Sequence, residues 1–235
     1  FWRIPLRKRR VGKEFLRIPL LRNLGEDLSS MRPKDPFVYF DLGKVMVEFE
    51  HAKAVEQLAA LVPCSVEQVR DVAFTSGLQN EYETGLIKSD EYCRRINSLL
   101  NANLPHEKIL KAISDIFTVN QPILEVLQWL RDRRIPMGIL SNTCSAHWDW
   151  IVAQNWPIPG DWFELQVLSY EVRSMKPDAR IYEVCEGRSG RGPRDLFFTD
   201  DRIENIEAAQ NRGWSTYHYG NAQDLICKLQ SWFEG

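Results

Sequence analysis

The chain has 235 residues, 44% of them hydrophobic and 26% charged, with a formal net charge of −2, which is enough apolar material for one large domain or for a core with a smaller insert. No apolar run approaches the roughly 20 residues that a membrane-crossing helix needs. The five cysteines are scattered, with no CxxC or Cys/His cluster, which argues against a disulfide or zinc framework and reads as reduced thiols in a cytoplasmic protein. Residues 1–34 hold ten Lys and Arg against three Asp and Glu, while the remainder holds twenty against twenty-nine. This basic leader lacks aromatic interleaving and a sustained helical pattern, so it is expected to be extraneous or disordered, and neither a nucleic-acid nor a membrane partner is expected.

The first element is the apolar run Phe37-Val38-Tyr39-Phe40, which reads as a buried parallel strand ending in Asp41. The segment Leu42 to Phe49 mixes glycine with alternating apolar residues and predicts a tight turn and short hairpin. Over residues 51–118 the spacing becomes helical, with apolar faces at Ala54, Leu58, Leu61 and Val62, at Tyr92, Ile96, Leu99 and Leu100, and at Ile109, Ile113 and Ile116. Helix starts are expected at Ser65 and Ser89. This stretch is expected to be a small helical insert, and residues 35–50 and 119–235 to form the core domain. The core alternates a helix near 122–133, strands at 135–140, 164–168, 196–199 and 215–219, and helices near 147–154, 179–186, 203–212 and 222–233. Such alternation predicts an α/β fold with a Rossmann-like, doubly wound parallel sheet that binds ligands at the carboxyl ends of its strands.

Asp41, Ser141 and the pair Asp200-Asp201 all fall at that edge. Carboxylates at strand ends are costly to desolvate unless paired or bound to a cation, so the three acids predict a metal site, with Mg2+ suited to their oxygens. Ser141 and Asn142 offer a hydroxyl beside backbone amides, a phosphate-binding combination. Lys176 precedes a proline expected to open the next helix, and its ammonium would neutralise charge at the same edge. Asn205 is read as orienting the acidic loop or lying on a polar helix face. His147 and Cys144 are read as packing, and Trp148, Trp150, Trp156 and Trp162 as core or interface. In the helical insert, Phe74, Tyr82 and Glu83 are candidate substrate contacts.

Taken in order, Asp41-Leu42-Gly43-Lys44-Val45, Leu140-Ser141-Asn142, Lys176-Pro177-Asp178 and Thr199-Asp200-Asp201 with Asn205 resemble the four motifs of the haloacid dehalogenase-like hydrolase superfamily. The insert stands where the C1-type cap of subfamily I stands. Tyr82-Glu83-Thr84-Gly85-Leu86-Ile87 resembles the branch that contains bacterial sugar-phosphate phosphatases such as glucose-1-phosphatases. The resemblance implies Mg2+-dependent hydrolysis of a small phosphorylated metabolite through an aspartyl-phosphate on Asp41. It implies Mg2+ on Asp41, the Gly43 carbonyl, Asp200 and Asp201, and phosphoryl oxygens held by Ser141, Asn142 and Lys176, with Asp41, Ser141 and Lys176 as the catalytic group.

Gly43 departs from that pattern, since phosphatases of the superfamily usually carry there a second Asp that moves protons. Three readings follow: a phosphatase with another proton source, a hydrolytic haloacid dehalogenase, or a non-catalytic binding protein. The intact acidic pair favours the phosphatase. The physiological substrate and the oligomeric state are not legible in the residues.

Overall fold

The computed structural model describes residues 32–235; the basic leader, apart from its last three residues, lies outside them. In chain order the strands are β1 (Phe37–Phe40), β2 (Val47–Phe49), β3 (Phe117–Val119), β4 (Met137–Ser141), β5 (Leu165–Leu168), β6 (Leu196–Asp200) and β7 (Ser215–His218). Five of them form a wholly parallel sheet in the order β5-β4-β1-β6-β7, the expected doubly wound architecture. β1 lies at its centre and all four of its residues are buried, which is why its sequence is continuously apolar rather than alternating. The absence of a side chain at Gly138 in β4 makes room for two rings of β1: a Cβ there would lie 2.6 Å from Tyr39 Cε1 and 2.7 Å from Phe37 Cε1.

One face of the sheet is covered by α6 (Ile123–Asp132), α7 (Ser145–Ala153) and α11 (Ala222–Glu234). The other is covered by α9 (Ala179–Ser189) and α10 (Ile203–Asn211), with Tyr182, Phe198 and Trp214 meeting edge to face. Trp148, Trp156 and Trp162 pack against the first of these cores. Burial of such side chains, at roughly 25 cal/mol per Å² of apolar surface, is the main source of stability for both layers.

Between β2 and β3 lie α1 (His51–Ala59), α2 (Val66–Arg70) continuing into a π-helical turn over Asp71–Thr75, α3 (Leu78–Glu83), α4 (Ser89–Leu99) and α5 (His106–Ser114). They share a core of Val55, Leu58, Val69, Tyr92, Ile96 and Ile109 that also takes in Cys144 and Ala146 from the start of α7. Ser65 caps α2 through a reciprocal box with Gln68. Ser89 occupies the first turn of α4 and not its cap, because its hydroxyl is bonded to Tyr82 instead.

The hairpin expected over Leu42–Phe49 is not formed. The turn itself exists, with Lys44 N donating to Val47 O at 2.7 Å and Met46 N to Leu42 O at 2.9 Å. Beyond it, however, β2 pairs antiparallel with the distant β3, in the register Val47↔Val119, Glu48↔Thr118, Phe49↔Phe117. Local pairing is limited to one isolated bridge between Gly43 and Val47, and the ladder is completed by the segment returning from the helices. Among the described residues, no helix is long and apolar enough to cross a membrane.

Candidate active site

Because β1, β4 and β6 are parallel neighbours, their carboxyl ends lie side by side. Asp41 continues β1 by donating its N–H to Thr199 O at 2.9 Å. Asp200 ends β6 with no solvent exposure, and Asp201 follows it. Carboxylate oxygens of Asp41, Asp200 and Asp201 all lie within 4.8 Å of one another.

Lys176 reaches into this cluster from the segment before α9. Its ammonium, almost wholly buried, donates to Asp41 Oδ1 at 2.7 Å, Asp200 Oδ2 at 2.6 Å and Leu140 O at 2.9 Å, using all three protons. Burial works against this charge, but Asp200 and Asp41 outweigh it and hold Lys176 above its ordinary value. The lysine is fixed by its own backbone: Lys176 N donates to Asn142 Oδ1 at 2.8 Å and Asn142 Nδ2 donates to Lys176 O at 2.9 Å. Pro177 does not open the helix; Asp178 caps it, its carboxylate accepting from Arg180 N at 2.9 Å.

Asp200 is held from the far side. Asn205 Nδ2, buried at the first turn of α10, lies 3.0 Å from both of its oxygens, and Arg202 N donates to Oδ1 at 2.8 Å. Three carboxylates thus face one ammonium. Burial pushes Asp41 up to about 7, Lys176 pulling it down and Asp200 pushing it up, and Asp201 is likewise raised by burial and by Asp200. A hard divalent cation among these oxygens removes that excess of negative charge, so the donor set fits Mg2+.

Asp41 and Asp201 open into a cleft bounded by Gly43, Phe49, His51, Gln79, Glu83, Asn142 and Arg202 among others. Ser141, buried at the end of β4, lines an adjoining pocket with Gly43, Glu83 and His147. Gly43 faces the ring of Phe49: a Cβ there would meet Phe49 Cε1 at 2.8 Å. Aromatic contacts continue from Phe49 to His51 (5.0 Å between centroids) and from His51 to Phe74 (4.7 Å), with Phe117 against Phe49 (5.7 Å) and His147 (5.2 Å). Burial pushes His147 down to about 4, with His51 adding to the effect, and His51 is itself lowered by burial and by Lys44. Both rings are therefore neutral at pH 7. Burial pushes the Cys144 thiol far up, leaving it protonated and inert.

Of the three candidates in the helical region, Phe74 and Tyr82 line one pocket and Glu83 another. Glu83, at the end of α3, borders the cleft with Asp41. Phe74 lines a smaller neighbouring pocket with His51 and His147. Tyr82 is buried, its hydroxyl engaged by Ser89 Oγ at 2.7 Å, Ser145 Oγ at 3.0 Å and Ala146 N at 3.2 Å, so it joins the helices to α7. Phe49, His51, Gln79 and Arg202 are cleft residues that the motifs did not indicate. The only signal available was that Phe49 and His51 follow the Asp41 turn closely, at its alternating positions.

The chain is similar to known proteins over most of its length. The chain is 25% identical over 193 residues to the D-ribitol-5-phosphate phosphatase of Bacteroides thetaiotaomicron, covering 80% of this chain and 93% of that protein. A HAD family enzyme of the same organism, crystallised with magnesium and inorganic phosphate, superposes with a TM-score of 0.71 at 26% identity over 79% of this chain and 94% of its own. The L-2-haloacid dehalogenase of Xanthobacter autotrophicus shares the fold, with a TM-score of 0.57 at 18% identity over 83% of this chain and 82% of that one. Since the model of the haloacid dehalogenase-like hydrolases matches residues 38–213, well over half of the sequence, the chain belongs to that hydrolase family.

Proposed function

We propose that this protein is a Mg2+-dependent phosphomonoesterase acting on a small phosphorylated metabolite, a sugar or polyol phosphate being the first class to try. The observation that carries the reading is the cluster of Asp41, Asp200 and Asp201, the first two buried and bonded to the one ammonium of Lys176, beside Ser141 and Asn142. The D-ribitol-5-phosphate phosphatase relative supports it.

In this reading Asp41, the Gly43 carbonyl, Asp200 and Asp201 hold the cation, which when bound offsets charge between the phosphoryl group and the carboxylates. Asp41 attacks phosphorus and carries the phosphoryl group as an aspartyl-phosphate until water releases it. Lys176 keeps Asp41 aimed and offsets its charge, and with Ser141 and the backbone amide of Asn142 it holds phosphoryl oxygens, so that most of the rate comes from positioning and charge. Residues 51–118 serve as the cap that reads the rest of the substrate.

Phosphate release from a panel of sugar and polyol phosphates, with and without Mg2+, tests the function. Turnover that depends on Mg2+ and is abolished in a folded Asp41→Asn variant is the expected result; no turnover by folded wild-type protein would overturn it. Gly43 favours one second reading, a hydrolytic dehalogenase, because halide leaves without a proton. Halide release from 2-haloacids in the absence of metal would establish that reading instead.

A further inference from the structure

With glycine at position 43 and the Phe49 ring filling the space beside it, the usual source of a proton next to the nucleophile is missing and its place is occupied. A carboxyl is nevertheless present across the cleft. Glu83 is contributed by α3 and borders both the Asp41 cleft and the pocket beneath Ser141. Its carboxylate accepts from the neutral Gln79 Nε2 at 2.6 Å. Its backbone is tied to the core, Ser169 Oγ accepting from Thr143 N at 2.9 Å and offering its one proton to Glu83 O at 2.6 Å, with Thr143 O the more distant acceptor at 3.0 Å. Two residues on, Gly85 lies against the core so closely that a Cβ would be 2.0 Å from Tyr170 O, at a φ of +72°. Glu83 is therefore held over the acidic edge by contacts to the core as well as by its helix.

Resting on the phosphatase reading above, we propose that Glu83 is the proton donor to the leaving oxygen and the base for the attacking water. In the first half-reaction an Asp41 oxygen bonds to phosphorus, the ester P–O bond breaks, and the departing oxygen takes the Glu83 proton. In the second, water bonds to phosphorus and passes one proton to the Glu83 carboxylate, and the bond from phosphorus to Asp41 breaks. Glu83 ends protonated and Asp41 ionised, as they began.

The surroundings suit a proton carried near neutrality. Burial pushes Glu83 up to about 7, against smaller lowering effects of Gln79 and Arg202. The other ionisable groups of the cleft are Asp41, Lys44, Lys176, Asp201 and Arg202 from the core and His51 from α1. His51, driven the other way by burial and Lys44, is neutral at pH 7 and a poor acid.

The test compares wild type, Glu83→Gln and Glu83→Asp on a simple alkyl phosphate and on 4-nitrophenyl phosphate, whose leaving group needs no proton. Glu83→Gln is expected to lower kcat/KM on the alkyl ester by roughly 100- to 10,000-fold while first-turnover release of 4-nitrophenolate changes little, followed by slow turnover. Glu83→Asp, which keeps a shortened carboxyl, should fall between. Equal losses on both esters, or no loss on the alkyl ester, would overturn the proposal while leaving the phosphatase reading intact. Failure of wild type to hydrolyse either ester, or unchanged turnover by Asp41→Asn, would overturn both.

Discussion

The ring of Phe49 stands where a side chain on Gly43 would have to go, at 2.8 Å from a Cβ built there. An acid placed at this position by one substitution must displace that ring. Gly43→Asp is expected to destabilise the protein by about 1 to 3 kcal/mol through overpacking, and to gain no activity. In Gly43→Asp/Phe49→Ala the clash is gone, so the two changes couple favourably by about 1 kcal/mol or more. Urea unfolding of the four proteins in that cycle measures the coupling, and additive effects would refute it.

Lys176 is the sole ammonium in contact with two buried carboxylates among the described residues. Lys176→Gln leaves them uncompensated, which is expected to cost about 3 to 5 kcal/mol of stability. Mg2+ should recover more stability in this variant than in wild type, because the cation replaces the missing charge. Melting with and without Mg2+ decides; equal Mg2+ shifts in the two proteins would count against the metal assignment.

Asn205 touches Asp200 through both carboxylate oxygens and borders the same cleft. Asn205→Ala frees that carboxylate to rotate, and support of this kind is commonly worth roughly 10- to 100-fold in metal affinity. The expected result is a Mg2+ titration of activity displaced to higher concentration by about that factor, with kcat at saturating Mg2+ far less affected. An unshifted titration would show that the Arg202 amide suffices to hold Asp200.

His147 titrates at about 4 in the folded chain against 6.5 for the free side chain. Between those values the unfolded chain takes up a proton that the folded one refuses, so stability is full above pH 6.5 and falls as pH drops toward 4. The contribution is on the order of 1 kcal/mol per pH unit at most. In His147→Gln that part of the acid lability disappears. Denaturant unfolding at pH 4.5 and pH 7 should show a smaller difference for the variant than for wild type; an equal difference would mean that other groups dominate.

The strands were readable because a central parallel strand is buried on both faces, so Phe37 to Phe40 and Leu196 to Thr199 stand out as unbroken apolar runs. The acids and Ser141 were legible for a related reason, since each ends or directly follows such a run, whereas Lys176 stood out by the proline that follows it. The partner of β2 was not, because a turn signal points to local pairing and nothing in Val47 to Phe49 names Phe117 to Val119 as the other side. Nor did the residue type reveal that the Tyr82 hydroxyl is spent on Ser89 and Ser145, or that the reciprocal bonds between Asn142 and Lys176 lock two motifs together. Those are long-range contacts between residues whose local patterns carry no trace of their partners.

The ladder between β2 and β3 bears on how the chain closes upon itself. Everything from Glu50 to Ile116 leaves and returns through two strands bonded to each other. To the parallel sheet, the insertion presents ends one strand spacing apart, whatever lies beyond them. The entropy of closing that long excursion is met within the ribbon and the five helices, and grows only slowly with length in any case. Insertions or deletions in the loops of this stretch, away from its contacts with Ser145, Ser169 and Tyr170, are therefore expected to leave the register of the sheet, and with it the alignment of Asp41 against Asp200, unchanged.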